Sequence, residues 1–178
     1  DMKRSPQRAL ITNLAPNHLD IHKDMEEYVD AKKNIFKYQD KTGILVLNAD
    51  NAITASFTGN GETRFFSRTK ETNCVWEENG VIYRRGERLL ETKDILIPGT
   101  HNIENYMAAI ALVEGLASDE AIRQVARTFG GVEHRIELVR VKDGVRFYND
   151  SIASSPSRTI AGLRSFPEKV ILIAGGYD

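Results

Sequence analysis

The sequence predicts an α/β fold: a mostly parallel sheet, extended by a small antiparallel sheet and followed by the start of a second α/β region. Residues 8–12 form a short apolar run, and residues 43–48 form a continuous one of the kind found in buried parallel strands. Residues 24–39, between them, have apolar side chains at helical spacing. Strand, helix and strand in this order indicate a right-handed crossover within one sheet.

Composition and charge exclude several classes of protein. Among the 178 residues, 41% are hydrophobic and 28% are charged, which is typical of a globular domain. The net charge of −1 gives no basic surface for nucleic acid, and the apolar runs are too short to cross a bilayer. The single cysteine, Cys74, excludes an internal disulfide and favours a reducing compartment. We therefore expect a cytoplasmic protein.

The helix predicted over residues 24–39 has a lysine, Lys32, within its apolar stripe. Asp24 is a good candidate for its N-cap. Lysine is rarely buried, because desolvating an ammonium group is costly, so its stem could cover apolar neighbours while its head reaches water. Alternatively, an amine in apolar surroundings loses its proton more readily and can take up carbon dioxide. The resulting carbamate would be an oxygen ligand for Mg²⁺.

His18 follows the first predicted strand, at the sheet edge where α/β proteins bind ligands. A histidine in such a loop is most simply a surface residue. The end of a strand and the helix after it can, however, bring His18 and Lys32 toward one cleft. The pair is thus a candidate metal site.

The middle of the chain predicts short antiparallel strands attached to the α/β core. The pair Asn79-Gly80 is a strong signal for a two-residue hairpin turn. The predicted strands cover residues 63–67, 74–78, 81–84 and 94–97.

Two helices are predicted next, over residues 102–116 and 119–128, the second capped by Ser118. Asn102 and Asn105 are three residues apart and share a helix face. Their amides could read the edge of a nucleobase, although Asn102 could also be only a helix cap.

A flexible joint at Gly130-Gly131 predicts a domain boundary between residues 1–131 and 132–178. Arg135 follows this joint and could bind a phosphate or merely pair with a surface acid. Asp150 follows a predicted strand and could hold ribose hydroxyls or be a turn residue. The elements predicted here are strands over residues 136–141, 145–148 and 170–174 and a helix over residues 156–163.

Six ordered segments resemble the Mur ligases, and the resemblance spans essentially the whole chain. They are Asn13-Leu-Ala-Pro-Asn-His-Leu-Asp20, the Ala31-Lys32 helix, Gly99-Thr-His-Asn-Ile-Glu-Asn105, Val132-Glu-His-Arg135, Tyr148-Asn-Asp-Ser151 and Ile173-Ala-Gly-Gly-Tyr-Asp178. The resemblance implies that residues 1–131 are the later half of the central ATPase domain. It implies that residues 132–178 begin the Rossmann-like C-terminal domain, which binds the amino acid.

The resemblance also implies roles for six residues. Lys32, as a carbamate, and His18 would hold Mg²⁺ and serve catalysis. Asn102 and Asn105 would contact the adenine of ATP, and Arg135 and Asp150 its phosphates and ribose. Family members often have lysine where this chain has Ile152, so the function of that lysine would be absent or supplied elsewhere.

Within the family, the resemblance is to the ligase that adds D-glutamate to UDP-N-acetylmuramoyl-L-alanine, forming ADP through an acyl phosphate during peptidoglycan precursor synthesis. The chain has no Gly-rich phosphate loop of the P-loop type. We expect that loop and a metal-binding glutamate before residue 1, a substrate-binding lysine after residue 178, and no ATP turnover by this segment alone. The longer protein is expected to be monomeric. The alternatives are a sister Mur ligase, a ligase like folylpolyglutamate synthase, and a non-catalytic folded module.

Overall fold

The structure is a computed structural model that describes residues 3–14 and 24–175. A six-stranded sheet follows the order of the chain, with β1 to β4 parallel and β5 and β6 added antiparallel. Its strands are β1 (Arg8–Ile11), β2 (Ile44–Asn48), β3 (Glu62–Ser67), β4 (Val75–Glu78), β5 (Val81–Arg84) and β6 (Glu87–Glu91). The predicted fold class is confirmed, although the antiparallel strands extend the parallel sheet instead of forming a separate one.

Helices cover both faces of this sheet. On β2, Leu45 and Leu47 point into the cluster that includes α1, whereas Val46 points into the cluster that includes α3, and all three are fully buried. Burial on both faces explains why β2 is continuously apolar. The helices are α1 (Met25–Lys33), α2 (Ala52–Ala55), α3 (Thr100–Val113) and α4 (Asp119–Thr128).

Helix α1 begins as predicted but ends early. The side chain of Asp24 accepts a hydrogen bond from the backbone N–H of Glu27 at 2.9 Å, which is an N-cap. The helix ends at Lys33 and turns follow, so residues 34–39 do not continue it. Gln39 is nevertheless buried, and its amide donates to the carbonyl of Ile44 at 3.1 Å.

The predicted hairpin is confirmed, and a second turn was missed. Asn79 and Gly80 have φ values of 52° and 78°, as a two-residue turn of type I′ requires. Arg85 and Gly86, with φ values of 51° and 88°, form a second tight turn that leads into β6. The strand predicted over residues 94–97 is wrong, because β6 already occupies the sheet edge and a short 3₁₀-helix, Thr92–Asp94, leads away from it.

Arginine side chains hold the C-terminal end of α3 against the sheet. Arg8 donates to the carbonyls of Leu112 at 2.5 Å and Glu114 at 3.0 Å. Arg64 is buried in β3 and pairs with the carboxylates of Glu62 at 2.8 Å and Glu114 at 3.2 Å. These bonds satisfy carbonyls that lack a partner within the helix.

Cys74 lies next to this arginine cluster, at the start of β4. Its side chain is fully buried, and its Sγ lies 3.6 Å from Glu114 Oε2. Burial, and then the charge of Glu114, raise the pKa of the Cys74 thiol to about 12. Cys74 is thus a small packed side chain of the core.

The C-terminal region contains a hairpin of β7 (Glu137–Lys142) and β8 (Val145–Asn149) and the helix α5 (Pro156–Leu163). The strand predicted over residues 170–174 is wrong: this segment has no regular structure, and Ile171 is 95% exposed. A strand needs a hydrogen-bonded neighbour. Within the described residues, β7 and β8 pair only with each other.

The helices found in residues 3–14 and 24–175 include none with the length and hydrophobicity needed to traverse a lipid bilayer.

Candidate functional site

Polar side chains meet where the parallel strands β1 and β2 end. Asn48 is the last residue of β2, and its side-chain amide donates to Asn13 Oδ1, just past β1, at 3.0 Å. Both residues lie at the carboxyl edge of the sheet, where open α/β sheets bind their ligands. We call Asn13, Asn48, Asp50 and Ser67, which lie at the ends of β1, β2 and β3, the polar edge.

Asp50 anchors the β3 end of the polar edge. Its carboxylate accepts hydrogen bonds from the hydroxyls of Ser67 and Thr69, both at 2.6 Å, and from the backbone N–H of Arg68 at 2.7 Å. Burial alone would raise the pKa of Asp50, but these hydrogen bonds outweigh burial and lower it. Asp50 is therefore a stable anion. Sequence reasoning missed it, although its position just after a buried strand was an available signal.

Lys32 lies at the mouth of an open cleft between α1 and the end of β1. The cleft has a volume of about 440 Å³ and is lined on one side by residues 10–14. Lys32 is exposed, and its Nζ lies 5.4 Å from the centre of the Tyr28 ring, a cation–π distance. Its neighbour Lys33 instead forms an ion pair with Asp30 at 3.0 Å.

The surroundings of Lys32 agree with a stem that covers apolar neighbours and a head that reaches water. Among residues 3–14 and 24–175, Lys32 has no carboxylate within ion-pair distance. The same range contains no group of three or more His, Cys, Asp or Glu side chains that could hold a metal ion. His18, the partner predicted for Lys32, lies outside the described residues. The structure thus places one half of the predicted metal site at a cleft.

Asn102 and Asn105 meet on the first turns of α3. The side-chain amide of Asn102 donates to the carbonyl of Pro98 at 2.6 Å, and its Oδ1 accepts from Asn105 Nδ2 at 3.3 Å. Asn102 is buried and Asn105 is exposed. The expectation that Asn102 caps the helix is wrong, because Gly99 is the N-cap of α3. The bond to Pro98 still holds the start of the helix, and Asn102 orients Asn105, whose carbonyl oxygen and one N–H have no partner among the described residues.

Arg135 projects from a tightly held turn. Its neighbours His134 and Ile136 have φ values of 65° and 46°, in the left-handed region. The N–H of Ile136 donates to Asp150 Oδ1 at 3.2 Å, and the N–H of Ile152 donates to the carbonyl of His134 at 3.2 Å. The guanidinium of Arg135 is exposed and makes no hydrogen bond to another described residue.

His101, which sequence reasoning did not assign, precedes Asn102 on the first turn of α3 and is influenced by the charges of Arg135 and Asp150. It is half-buried. Burial, and then the charge of Arg135, lower the pKa of His101, while the carboxylates of Glu104 and Asp150 oppose this shift. The last turn of α5 approaches both Asp150, at Gly162, and the start of α3, at Gly99, although Asp150 follows the Gly-Gly joint.

Comparison with known proteins identifies the family. Residues 2–113 match the Mur ligase middle domain. The chain is 56% identical, over 99% of its length, to UDP-N-acetylmuramoylalanine–D-glutamate ligase of Acetivibrio thermocellus, and 57% identical, also over 99%, to the enzyme of that name from Clostridium novyi. It spans 40% and 39% of the lengths of these two relatives.

Solved structures show the same fold at low identity. UDP-N-acetylmuramate-alanine ligase from Thermotoga maritima superimposes with a TM-score of 0.69 at 24% identity, over 90% of this chain and 38% of that one. MurF from Acinetobacter baumannii gives a TM-score of 0.71 at 19% identity, over 90% and 37%. These likenesses show the fold, and the match of residues 2–113 to the Mur ligase middle domain shows that the chain belongs to the Mur ligase family.

Proposed function

We propose that this chain is part of an ATP-dependent, ADP-forming ligase that adds D-glutamate to UDP-N-acetylmuramoyl-L-alanine in peptidoglycan precursor synthesis. The supporting observation is its identity of 56% and 57% to relatives named for that reaction. Solved sister ligases share only 24% or 19% with it. Because the chain spans about 40% of the first relative, the activity belongs to a longer protein.

Two regions of the chain divide the work in this proposal. Residues 1–131 are the later part of the central ATP-binding domain, and residues 132–178 begin the domain that binds the amino acid. Gly131, with φ of 103°, gives the joint backbone freedom that other residues lack. The matched middle domain, which ends at residue 113, supports a boundary after that point.

ATP is held from both sides of this joint. Asn105 reads the adenine edge with its free carbonyl and N–H, and Asn102 keeps it in place. Arg135 offers a planar fork of donors to the phosphates, which suits a guanidinium without a partner among the residues that the structure describes. Asp150 binds the ribose with the carboxylate lone pairs that the N–H of Ile136 and the packing against Gly162 leave open.

Lys32 takes part as a carbamate. Its head lies at a cleft and pairs with no carboxylate among the described residues, so no ion pair competes with the reaction with carbon dioxide. Together with His18 it would hold Mg²⁺, which neutralises charge between the substrate carboxylate and the γ-phosphate. Asp50 is unsuitable as a ligand because Ser67, Thr69 and Arg68 already occupy its oxygens.

The proposed reaction has two steps, and the first brings a carboxylate and a phosphate group, both anionic, together. The carboxylate of UDP-N-acetylmuramoyl-L-alanine takes the γ-phosphoryl group of ATP, and ADP leaves. The amine of D-glutamate then attacks the acyl phosphate and displaces phosphate. Substrates of this kind are small and water-soluble, which agrees with a cytoplasmic monomer that needs no nucleic acid or membrane.

The test is a substrate-dependent assay of the full-length protein. ADP release is measured with ATP, Mg²⁺ and UDP-N-acetylmuramoyl-L-alanine, and each candidate amino acid is added in turn. We expect turnover with D-glutamate and only background with L-glutamate, the matched control. Turnover with another amino acid would favour a sister ligase, turnover with a folate would favour the folylpolyglutamate type, and no turnover with any of them would favour a non-catalytic module.

A further inference from the structure

Gly99 is the point at which α5 touches the start of α3. It is the N-cap of α3 and has φ of 102°. A Cβ built on Gly99 would lie 2.6 Å from Ser165 Oγ, just past the end of α5, and 2.6 Å from Cε1 of His101. Real Cβ atoms do not approach other atoms so closely, so a side chain at position 99 would force Ser165 and His101 to move.

A second glycine, Gly162, allows an equally close contact on the opposite side of the last turn of α5. A Cβ on Gly162 would lie 2.6 Å from Asp150 Oδ2. The N–H of Ser165 donates to the carbonyl of Gly162 at 3.0 Å, so both residues belong to the last turn of α5. This turn therefore sits between Asp150 and His101, with a glycine at each contact.

We propose that the contact between Gly99 and Ser165 positions Arg135 and Asp150 relative to Asn102 and Asn105, so that both pairs act on one ATP. The inference rests on the proposed function. The Gly130-Gly131 joint has too much backbone freedom to fix this placement by itself. The last turn of α5 supplies what the joint lacks, because it touches Asp150 on one side and the N-cap of α3 on the other.

Gly99→Ala in the full-length protein separates positioning from simple stability. We expect KM for ATP to rise about tenfold or more, because small displacements of binding groups are costly, with a smaller change in KM for D-glutamate. Gly115→Ala is the control: Gly115 also has a positive φ, 80°, but no described residue lies within 4 Å of its Cβ position. It also puts a side chain on a backbone of positive φ but causes no collision, and its KM for ATP should stay unchanged.

A second variant approaches the contact from the other side. Ser165→Leu fills the same space without straining Gly99, and Arg164→Leu is its exposed neighbour and control. We expect a raised KM for ATP in Ser165→Leu only. An unchanged KM in both Gly99→Ala and Ser165→Leu, or equal changes in the variants and their controls, would overturn the proposal.

Hydrogen exchange of the same proteins gives an answer that does not depend on the reaction. We expect the amide of Ser165 to lose protection in Gly99→Ala and to keep it in Gly115→Ala. Loss of protection without any ligase activity in the wild type would mean that the contact exists and the proposed function is wrong. Unchanged protection in Gly99→Ala would refute the contact itself.

Discussion

Lys32 and Lys33 are adjacent lysines with different surroundings. Lys33 is paired with Asp30, whereas Lys32 faces the cleft beside β1. We expect Lys32→Ala to reduce ADP release by the full-length protein to background, because the carbamate can no longer form. Added acetate or formate should restore part of the activity by supplying a carboxylate. Lys33→Ala, the control, should keep activity within about twofold, since exposed ion pairs contribute little.

The carbamate hypothesis would fail if Lys32→Ala retained wild-type activity. Full activity in Lys32→Arg would contradict it equally, because a guanidinium keeps its charge and does not form a carbamate.

His101 gives the chain a pH-dependent contribution to stability. Burial and the charge of Arg135 hold its pKa below the usual 6.5, so the unfolded chain binds this proton at a higher pH than the folded one. The free energy of unfolding should therefore be unaffected by His101 above pH 6.5 and should fall as pH drops below it, until the folded pKa is passed. His101→Gln should remove this part of the acid destabilisation in urea denaturation.

The role of Arg135 in that shift can be measured directly. Arg135→Gln should raise the pKa of His101 in an NMR titration of the full-length protein, because a nearby positive charge is removed. Arg140→Gln, an exposed residue of β7 that does not act on His101, should leave the pKa where it is. An unchanged pKa in Arg135→Gln would separate the two residues.

At the residue scale, the sequence predicted what depends on near neighbours. The caps at Asp24 and Ser118 follow from residues three positions away, and both are present. Asp50 was missed because its partners, Ser67 and Thr69, are 17 and 19 positions away and meet it only when β2 and β3 pair. The environment of His101 depends on residues beyond the Gly-Gly joint, which no local pattern shows.

At the scale of elements, a buried arginine of the sheet holds the C-terminal end of α3. Arg64 in β3 is nearly inaccessible and pairs with Glu62 and Glu114 while it donates to the carbonyl of Ala111 at 3.0 Å. We expect Arg64→Met to lower the free energy of unfolding by about 2 kcal/mol, because the carbonyl of Ala111 and the carboxylate of Glu114 each lose a partner, although Arg85 still pairs with Glu114. Urea denaturation of the full-length protein measures this loss.

Arg127 offers a matched control on the surface. It pairs with Asp94 at 2.9 Å, but its side chain is 59% exposed, so Arg127→Met should change the free energy of unfolding by less than about 0.5 kcal/mol. Equal losses in the two variants would show that the bonds at the end of α3 add no stability.

Elements were predicted well where periodicity and turn chemistry agree. The hairpin at Asn79-Gly80 and the helix α5 are examples, since glycine, asparagine and proline restrict the backbone directly. The predictions of strands over residues 94–97 and 170–174 were wrong because an apolar run does not show whether a partner strand is present. In the first case β6 had taken the edge, and in the second no described strand lies beside the segment.

For the whole molecule, the fold was predictable because its sheet follows the order of the chain. The division of the candidate site between two regions remains a prediction from the motifs. The motifs predicted candidate residues on both sides of the Gly-Gly joint, but the close approaches of Gly99 and Gly162, on which the proposed positioning of Arg135 rests, leave no trace in composition.

The 178-residue chain, purified alone, should not release ADP from ATP above background under conditions in which the full-length protein is active. The reason is that the chain has no Gly-rich phosphate loop to cradle the nucleotide. A coupled ADP assay with the full-length protein as positive control measures this. ATP turnover by the short chain would refute the prediction.

The buried thiol of Cys74 can report how often the chain opens. With its pKa raised to about 12 and its Sγ fully covered beside Glu114, Cys74 should react with a thiol reagent only in molecules whose α3 has left the sheet. The labelling rate of Cys74 in the full-length protein, followed by mass spectrometry, should rise in Arg64→Met and stay unchanged in Arg127→Met. Fast labelling of the native wild type would contradict this. If the prediction holds, the labelling rate of this one sulfur atom measures how often α3 separates from the sheet that carries the polar edge.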